Sequence, residues 1–495
     1  CATESIYTPT KGKKMYSALE LIAILIALAG AVLTLANRTA KSWLLLNLKK
    51  SYPSTAFPSF AVHDQPWVAF HLAISNEDPR VVLETLQSLE REAYDNYVVV
   101  VVDNNTADMS LWLPIRQFCD KRPIRFKFFH VESLGGYKAG ALNYALDRTP
   151  TEIEYISIVD ADTEVAPIFL KETIGHFTDK DVAIVQTPLG FKSDPSVETF
   201  RSWIFLIYRY FLSLYMPNAD IRRCAPFIGA MGVLRRSSLE EAGRWNGYYL
   251  TEDLELSIRI LRFGYKSRFI PRSYGFSMPP NSFRSFKTQH YRWNFGNVQV
   301  IRDHILKPFL LGNPPLPNKL LALAICPGIY LNVYLLSLLC VAAAFFVGRY
   351  SGQSSPALDI AAWILLLTGL IELLGDITAF LVLGTAERAS PTAVCKNLAS
   401  WWALGLNNAL STAHALLRPT IPFRVTPKGS RESRSASSAR LGELSLVTLL
   451  ACLSVFSAGD SPPLAASLGA AAIIGGIVSL MPSDGSLPSE ECANE

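Results

Sequence analysis

The sequence predicts an α/β domain with a mainly parallel sheet, set between apolar helices that enter a membrane. Three observations carry this expectation. From Trp67 to about Arg272, short β-rich runs alternate with amphipathic stretches, the pattern of strands joined by crossover helices. Those runs are almost continuously apolar, as expected of strands covered on both sheet faces. Hydrophobic residues make up 50% of the 495-residue chain and charged residues 18%, and the longest apolar runs lie at its two ends. A domain commonly takes about 100 to 200 residues, so this length accommodates a soluble domain and a second region.

The run Ala18 to Ala36 carries one charge, Glu20, and approaches the roughly 20 apolar residues that cross a bilayer. It reads as a spanning helix at 17–37 after a tail at 1–16; a signal peptide is the alternative, without a clear small-residue cleavage site. Further runs, Leu320 to Val347, Ile360 to Leu383, Leu441 to Ser457 and Leu464 to Leu480, are bounded by Pro, Gly or charged residues. They predict two spans within 319–384 and two within 439–482, about five in all, before a tail at 483–495. Leu398 to Leu417 is interrupted by Asn407, Asn408 and His414, which suits an interfacial helix over 394–418. A net charge of +4 without a basic block excludes nucleic acid as a partner. The eight Cys show no CxxC pairing, so neither a zinc site nor a disulfide framework is indicated.

The clearest strands are WVAFHLAIS, YVVVVVD, IRFKFFHV, YISIVD and VAIVQ, and polar residues follow several of them: Asn76 and Glu77, Asp103, then Asp160 and Asp162. Ligands of open α/β sheets sit at these carboxyl ends. Two carboxylates flanking a small residue, as in IVDADTEV, suit Mg²⁺ or Mn²⁺ completed by phosphate oxygens and water, though a lone DxD equally suits a polar turn. GGYKAGALNYAL places Lys138 and free amides at a helix start, an arrangement that favours phosphate; as a tight turn with a solvated lysine it would carry no chemistry. In YLTEDLELSIRIL, Thr251 reads as an N-cap. Capping uses Thr251 and one acid, which leaves a general base available from Glu252 and Asp253. QHYRW puts Gln289, Arg292 and Trp293 on neighbouring faces of one helix, where Arg can grip a diphosphate and Trp can stack on a sugar.

Taken in order, SNEDP, Asp103, KAGALN, the DxD, QTPLGF, GVLRR, TED and QHYRW resemble the processive family-2 glycosyltransferases, above all the bacterial cellulose synthase catalytic subunit and curdlan-type β-glucan synthases. The resemblance implies a cytosolic, Rossmann-like GT-A domain over 50–305, ending in an interfacial QxxRW helix. It implies Glu77 and Asp103 near uridine, Lys138 and Arg292 near the donor diphosphate, Gln289 in donor binding, and Asp160 and Asp162 in donor and metal binding. Asp253 would be the base, with Glu252 and Trp293 at the acceptor. The expected reaction is inverting transfer from UDP-glucose onto a growing β-glucan, with Mg²⁺ or Mn²⁺, in a cell membrane; accessory export subunits or further copies of the chain are candidate partners. A non-processive transferase using a lipid-linked acceptor, or a chitin-, hyaluronan- or mannan-type synthase, is the alternative.

FRVTPK at 419–438 fits the gating loop of that family through Phe423, Val425, Thr426 and Lys428. Both this loop and the 50–305 domain would be cytosolic, so the chain must cross an even number of times between them; the spans within 319–384 supply two, and 394–418 stays on the surface. Five crossings would put Lys11, Lys13 and Lys14 outside, against the positive-inside rule, although Lys49 and Lys50 favour the cytosol. Trp401, Trp402, Tyr330 and Tyr334 are candidates for stacking on a polymer. DNN at Asp103, GAM before GVLRR, and Tyr137 depart from the cellulose synthase pattern and leave the linkage open.

Overall fold

The computed structural model describes residues 9–46, 65–192, 198–280, 282–306, 329–353, 355–421 and 450–479. Seven strands form the main sheet: β1 (Val68–Ile74), β2 (Tyr97–Asn104), β3 (Phe126–Val131), β4 (Tyr155–Val159), β6 (Val182–Gln186), β8 (Gly232–Arg235) and β9 (Lys266–Phe269), in the order β3-β2-β1-β4-β8-β6-β9. All neighbours are parallel except at β8, which runs antiparallel to β4 and β6. A small sheet orders β5 (Glu164–Val165), β10 (Gly275–Ser277) and β7 (Leu189–Phe191) as β5-β10-β7. The architecture is a mixed α/β domain with a mainly parallel sheet, and each of the five strands legible in the sequence is present.

Alternation explains the continuous apolar runs. Val68, Phe70, Leu72 and Ile74 of β1 enter one core layer, whereas Ala69 enters the opposite one with Leu142, Ile156 and Leu256. Successive strand side chains point to opposite faces, so a doubly covered strand is apolar on both except where a polar group finds a partner, as the buried His71 does 2.8 Å from Thr149 Oγ1. Burying a Phe or Leu contributes roughly 1.5–3 kcal/mol relative to exposure, and these positions are 0 to 3% exposed. The helices are α2 (Pro79–Glu90), α3 (Met109–Asp120), α4 (Tyr137–Asp147), α5 (Phe169–Ile174), α6 (Glu198–Tyr210), α7 (Met216–Ile221), α8 (Arg236–Glu241), α9 (Glu252–Arg262) and α10 (Phe283–Ile301). Asp78 and Asp108 cap α2 and α3 by accepting from Arg80 N and Ser110 N, each at 2.9 Å. Between β1 and β4 the strand order reverses direction, and the crevice beyond their carboxyl ends is where such sheets hold ligands.

Around this domain stand α1 (Pro9–Leu46), α11 (Ile329–Tyr350), α12 (Pro356–Ala386), α13 (Pro391–Leu417) and α14 (Pro462–Ser479). The first is longer at both ends than the expected span at 17–37. Tyr16–Trp43 and Pro356–Ala386 are long and apolar enough to cross a bilayer; Tyr334–Tyr350 and Pro462–Ile473 are shorter apolar helices. Of the five expected crossings, two therefore have full-length helices among the described residues, and most of the run from Leu441 lies outside them.

Buried charges join these helices. Lys41 pairs with Glu372 and lies 3.4 Å from Asp376, while Arg38 lies 3.5 Å from Asp376. Two cations offset two carboxylates, and removing one partner from such a set costs roughly 3–5 kcal/mol. The Trp401 indole donates to Asp376 at 3.0 Å and stacks on Tyr210 at 5.8 Å. Trp401 is thus fixed inside the bundle, a correction to its candidacy for sugar stacking. Tyr334 and Trp402 instead line a cavity of about 100 Å³, together with Thr34 and Glu372.

The polar interruptions in α13 are used against the α/β domain. Asn407 donates to Lys287 O at 3.2 Å, Ser411 to Tyr291 O at 2.8 Å, and Asn294 of α10 donates to Asn408 O at 3.0 Å. Asn397, wholly buried, accepts from Leu206 N at 2.9 Å and donates to Ser202 O at 2.6 Å on α6.

Candidate active site

At the mouth of the crevice the chain turns into α4 through Gly136, whose φ of +82° suits glycine. A Cβ on Gly247 would come within 2.6 Å of Gly136 Cα, so two bare backbones are needed for this approach. Asn143 then exchanges two hydrogen bonds with Trp245, at 2.8 and 3.1 Å. The loop leading to α9 is thereby sewn onto the start of α4.

Lys138 Nζ donates to Asp160 Oδ1 at 2.5 Å and to Gly229 O at 2.9 Å. Gly229 has φ +88°, and a Cβ there would lie 3.0 Å from Asp253 Oδ2. One glycine therefore touches both the lysine and the predicted base. Gln186 shapes that loop: its amide donates to Ala230 O at 2.9 Å, and its oxygen accepts from Ile228 N at 3.0 Å. Neither Gly229 nor Gln186 had a role from sequence, although Gln186 opens the QTPLGF motif.

Five groups converge here. Lys138 is within electrostatic reach of Asp160, Glu252 and Asp253, and so is Arg292. Burial, then the charge of Asp253, pushes the Glu252 carboxyl up to about 7. Burial likewise raises Asp253, opposed by the Leu254 amide and by Lys138 and Arg292. Such a basic, anchored carboxylate is suited to accept a proton from a hydroxyl.

Thr251 corrects the sequence expectation. It occupies the N-cap of α9, but its side chain makes no capping hydrogen bond, and its buried Oγ1 has no hydrogen-bond partner. Instead Thr251 packs on Gly296 of α10, where a Cβ would lie 2.7 Å from Thr251 Cγ2.

Asp103 is buried, with both oxygens engaged: Thr106 donates at 2.6 Å, and His130 Nδ1 lies at 2.7 Å. His130 stacks on Trp112 with centroids 4.4 Å apart. Asp103 thus braces His130 and Thr106, which the sequence reading missed, rather than standing open at the crevice. Thr106 also accepts from Asn76 N at 2.9 Å, tying the β2 end to the half-buried Glu77 segment after β1.

Gln289, Arg292 and Trp293 share one face of α10, since residues three or four apart are helix neighbours. The Tyr208 hydroxyl donates to Gln289 Oε1 at 2.5 Å, and its ring meets Trp293 edge-on at 6.1 Å and Phe191 at 4.8 Å. Burial keeps His290, beside Trp293 at 5.1 Å, neutral, with its pKa lowered to about 3. Tyr208 went unnoticed because α6 is rich in aromatics that read as core. Phe423, Val425, Thr426 and Lys428 lie outside the described residues.

Among the described residues no three His, Cys, Asp or Glu groups cluster as a self-sufficient metal site. Asp160 and Asp162 at the β4 end are a donor set that fits a hard cation completed by phosphate oxygens.

Residues 155–384 match the family model described as Glycosyl transferase family group 2. The chain is similar to the probable glucomannan 4-beta-mannosyltransferase 15 of Arabidopsis thaliana, 28% identical over 213 residues, or 42% of this chain and 40% of that protein. Glucomannan 4-beta-mannosyltransferase 1 of Oryza sativa subsp. japonica is 28% identical over 249 residues, covering 46% and 47%. Glucomannan 4-beta-mannosyltransferase 2 of Arabidopsis thaliana is 25% identical over 308 residues, covering 58% and 56%. The matched parts span about half the length of these curated relatives. A solved mannosyltransferase, PcManGT from Pyrobaculum calidifontis in complex with GDP-Man and Mn²⁺, superimposes with a TM-score of 0.52 at 18% identity, over 79% of this chain and 99% of that one. Residues 155–384 are thus similar to the family-2 glycosyltransferases. These named relatives are mannosyltransferases, not the cellulose or curdlan-type synthases that the motifs suggested.

Proposed function

We propose that this chain is a membrane-embedded, inverting glycosyltransferase that extends a 4-linked β-mannan or glucomannan from GDP-mannose. The observation that carries the chemistry is the convergence of Lys138, Asp160, Glu252, Asp253 and Arg292 at the carboxyl end of the sheet. The named relatives favour mannose as the sugar. UDP-glucose polymerised to a β-glucan is the second reading, favoured by the ordered motifs and by FRVTPK.

In this mechanism Asp253 removes the proton of the acceptor hydroxyl. Its oxygen attacks the anomeric carbon from the face opposite the nucleoside diphosphate, and the bond to that leaving group breaks with its electron pair. Lys138 and Arg292 balance the charge of the departing diphosphate. Asp160 and Asp162 would hold a divalent cation, Mn²⁺ or Mg²⁺, which when bound stabilises the same charge. Trp293, backed by Tyr208, offers its ring to the terminal acceptor sugar. Glu77 and the Asp103–His130–Trp112 group face the nucleoside end, and Gln289 is held at the donor side of α10.

For the whole chain we propose a cytosolic domain over 50–305, spans near 17–37, within 319–384 and within 439–482, and α13 at the membrane surface. The hydrogen bonds from α13 to α6 and α10 support that placement. The bundle that these spans form in a cell membrane would carry the polymer across.

The purified chain given radiolabelled GDP-mannose, acceptor and Mn²⁺ is expected to make products many sugars long, and to stop when EDTA is added. Additions of one sugar only would sink the processive reading. A second expectation concerns pH: the base works deprotonated, so burial, which raises the Asp253 carboxyl, moves the acid limb of kcat/KM above the ordinary carboxylate range. An acid limb found within that ordinary range would contradict it.

A further inference from the structure

Resting on the reading of Asp253 as base, we propose that the Q-x-x-R-W element extends two turns further along α10, and that Gly296 and Gln299 are positioning residues for the Thr251–Asp253 turn. Residues 289, 292, 293, 296 and 299 fall three or four apart and form one stripe on the helix.

Within α9 the turn bearing the base is held by Glu255 N donating to Thr251 O at 3.1 Å and by Ser257 donating to Asp253 O at 2.7 Å, but the Thr251 side chain adds no cap bond. Its remaining support comes from α10. At Gly296 a Cβ would sit 2.7 Å from both Thr251 Cγ2 and Oγ1 and 2.8 Å from Thr251 N, so the backbones approach as closely as glycine permits. One turn on, Gln299 is wholly buried. Its Oε1 accepts from Leu250 N at 3.3 Å, and its Nε2 donates to Pro419 O at 2.7 Å. Leu250 is also packed against Phe295, Val298, Ala415 and Ile421. Gln299 therefore pins the residue just before the TED sequence on one side and the chain leaving α13 on the other.

Gly296 and Gln299 touch neither Lys138 nor Asp160 among the contacts described, so disturbing them shifts the base relative to Trp293 and leaves the diphosphate contacts in place. A misplacement of about 1 Å can cost a hundredfold in rate. Gly296→Ala pushes Thr251 outward. Gln299→Met preserves bulk but removes these hydrogen bonds and the one to Tyr248 O at 3.5 Å.

The experiment measures kcat, donor KM and nucleoside diphosphate binding by calorimetry for the full-length wild type and these variants in detergent, using the donor the wild type turns over, with GDP or UDP as the binding probe. The expected result is a kcat about 10- to 100-fold lower with binding within about twofold of wild type. Gly296→Ala/Thr251→Gly, which removes both colliding side-chain atoms, should regain part of the lost kcat. Unchanged kcat, or a loss of nucleotide binding in parallel with kcat, would overturn the positioning role. A wild type that transfers no sugar from either donor would overturn the functional reading instead.

Discussion

Asp253→Asn is expected to lower turnover by roughly 10²- to 10⁴-fold, the usual contribution of a positioned general base, while nucleoside diphosphate binding stays close to wild type. The amide keeps the size of the carboxylate against Gly229, where Asp253 Oδ2 lies 3.0 Å from the position of a Cβ, and its oxygen can still accept from Leu254 N, now at 2.8 Å. What disappears is the proton acceptor. The check pairs single-turnover sugar transfer with GDP calorimetry; turnover within threefold of wild type would remove Asp253 from the role of base.

Lys138→Met should act on the donor. The ammonium is the group hydrogen-bonded to both Asp160 and Gly229 O, and it also offsets the charges of Glu252 and Asp253. Loss of a charged hydrogen bond to phosphate corresponds to about 1.5–3 kcal/mol, so donor affinity should fall about 10- to 100-fold. The sign of the pH effect follows: Lys138 lowers the pKa values of the acidic pair, so its removal moves the acid limb of kcat/KM to still higher pH. Unchanged GDP affinity together with an unmoved limb would place Lys138 outside the site.

The parallel strands were legible because helices cover both faces. In β2 the stretch Tyr97–Val102 has no solvent-facing register and is apolar, with Asp103 and Asn104 only at its carboxyl end. Strand β8 was hidden for the opposite reason. It is short, antiparallel and ends in Arg235, whose guanidinium stays in the fold by donating to Phe177 O at 2.9 Å and Val182 O at 3.1 Å. Charged residues satisfied by carbonyls blur an apolar pattern.

Within the site, residues whose chemistry is explicit were legible: Lys138, Asp160, Glu252 and Asp253 are charged groups at a strand end or helix starts, and Arg292 is a charged group midway along α10. Gly229 was not, because its contribution is a left-handed backbone and the absence of a side chain beside Asp253. Thr251 stands at the N-cap position its sequence indicates, but without a side-chain cap bond, since local sequence cannot show that a glycine from a distant helix will occupy its neighbourhood. The buried set of Lys41, Glu372 and Asp376 was likewise invisible, as its partners lie more than 300 residues apart in sequence.

The central claim is tested most directly by supplying the purified chain, with Mn²⁺, either GDP-[¹⁴C]mannose or UDP-[¹⁴C]glucose and determining the linkage of any polymer. The account predicts label from GDP-mannose in a 4-linked polymer that endo-β-mannanase degrades. Label taken up from UDP-glucose alone, in a polymer resistant to mannanase and cut by β-glucanase, would contradict it.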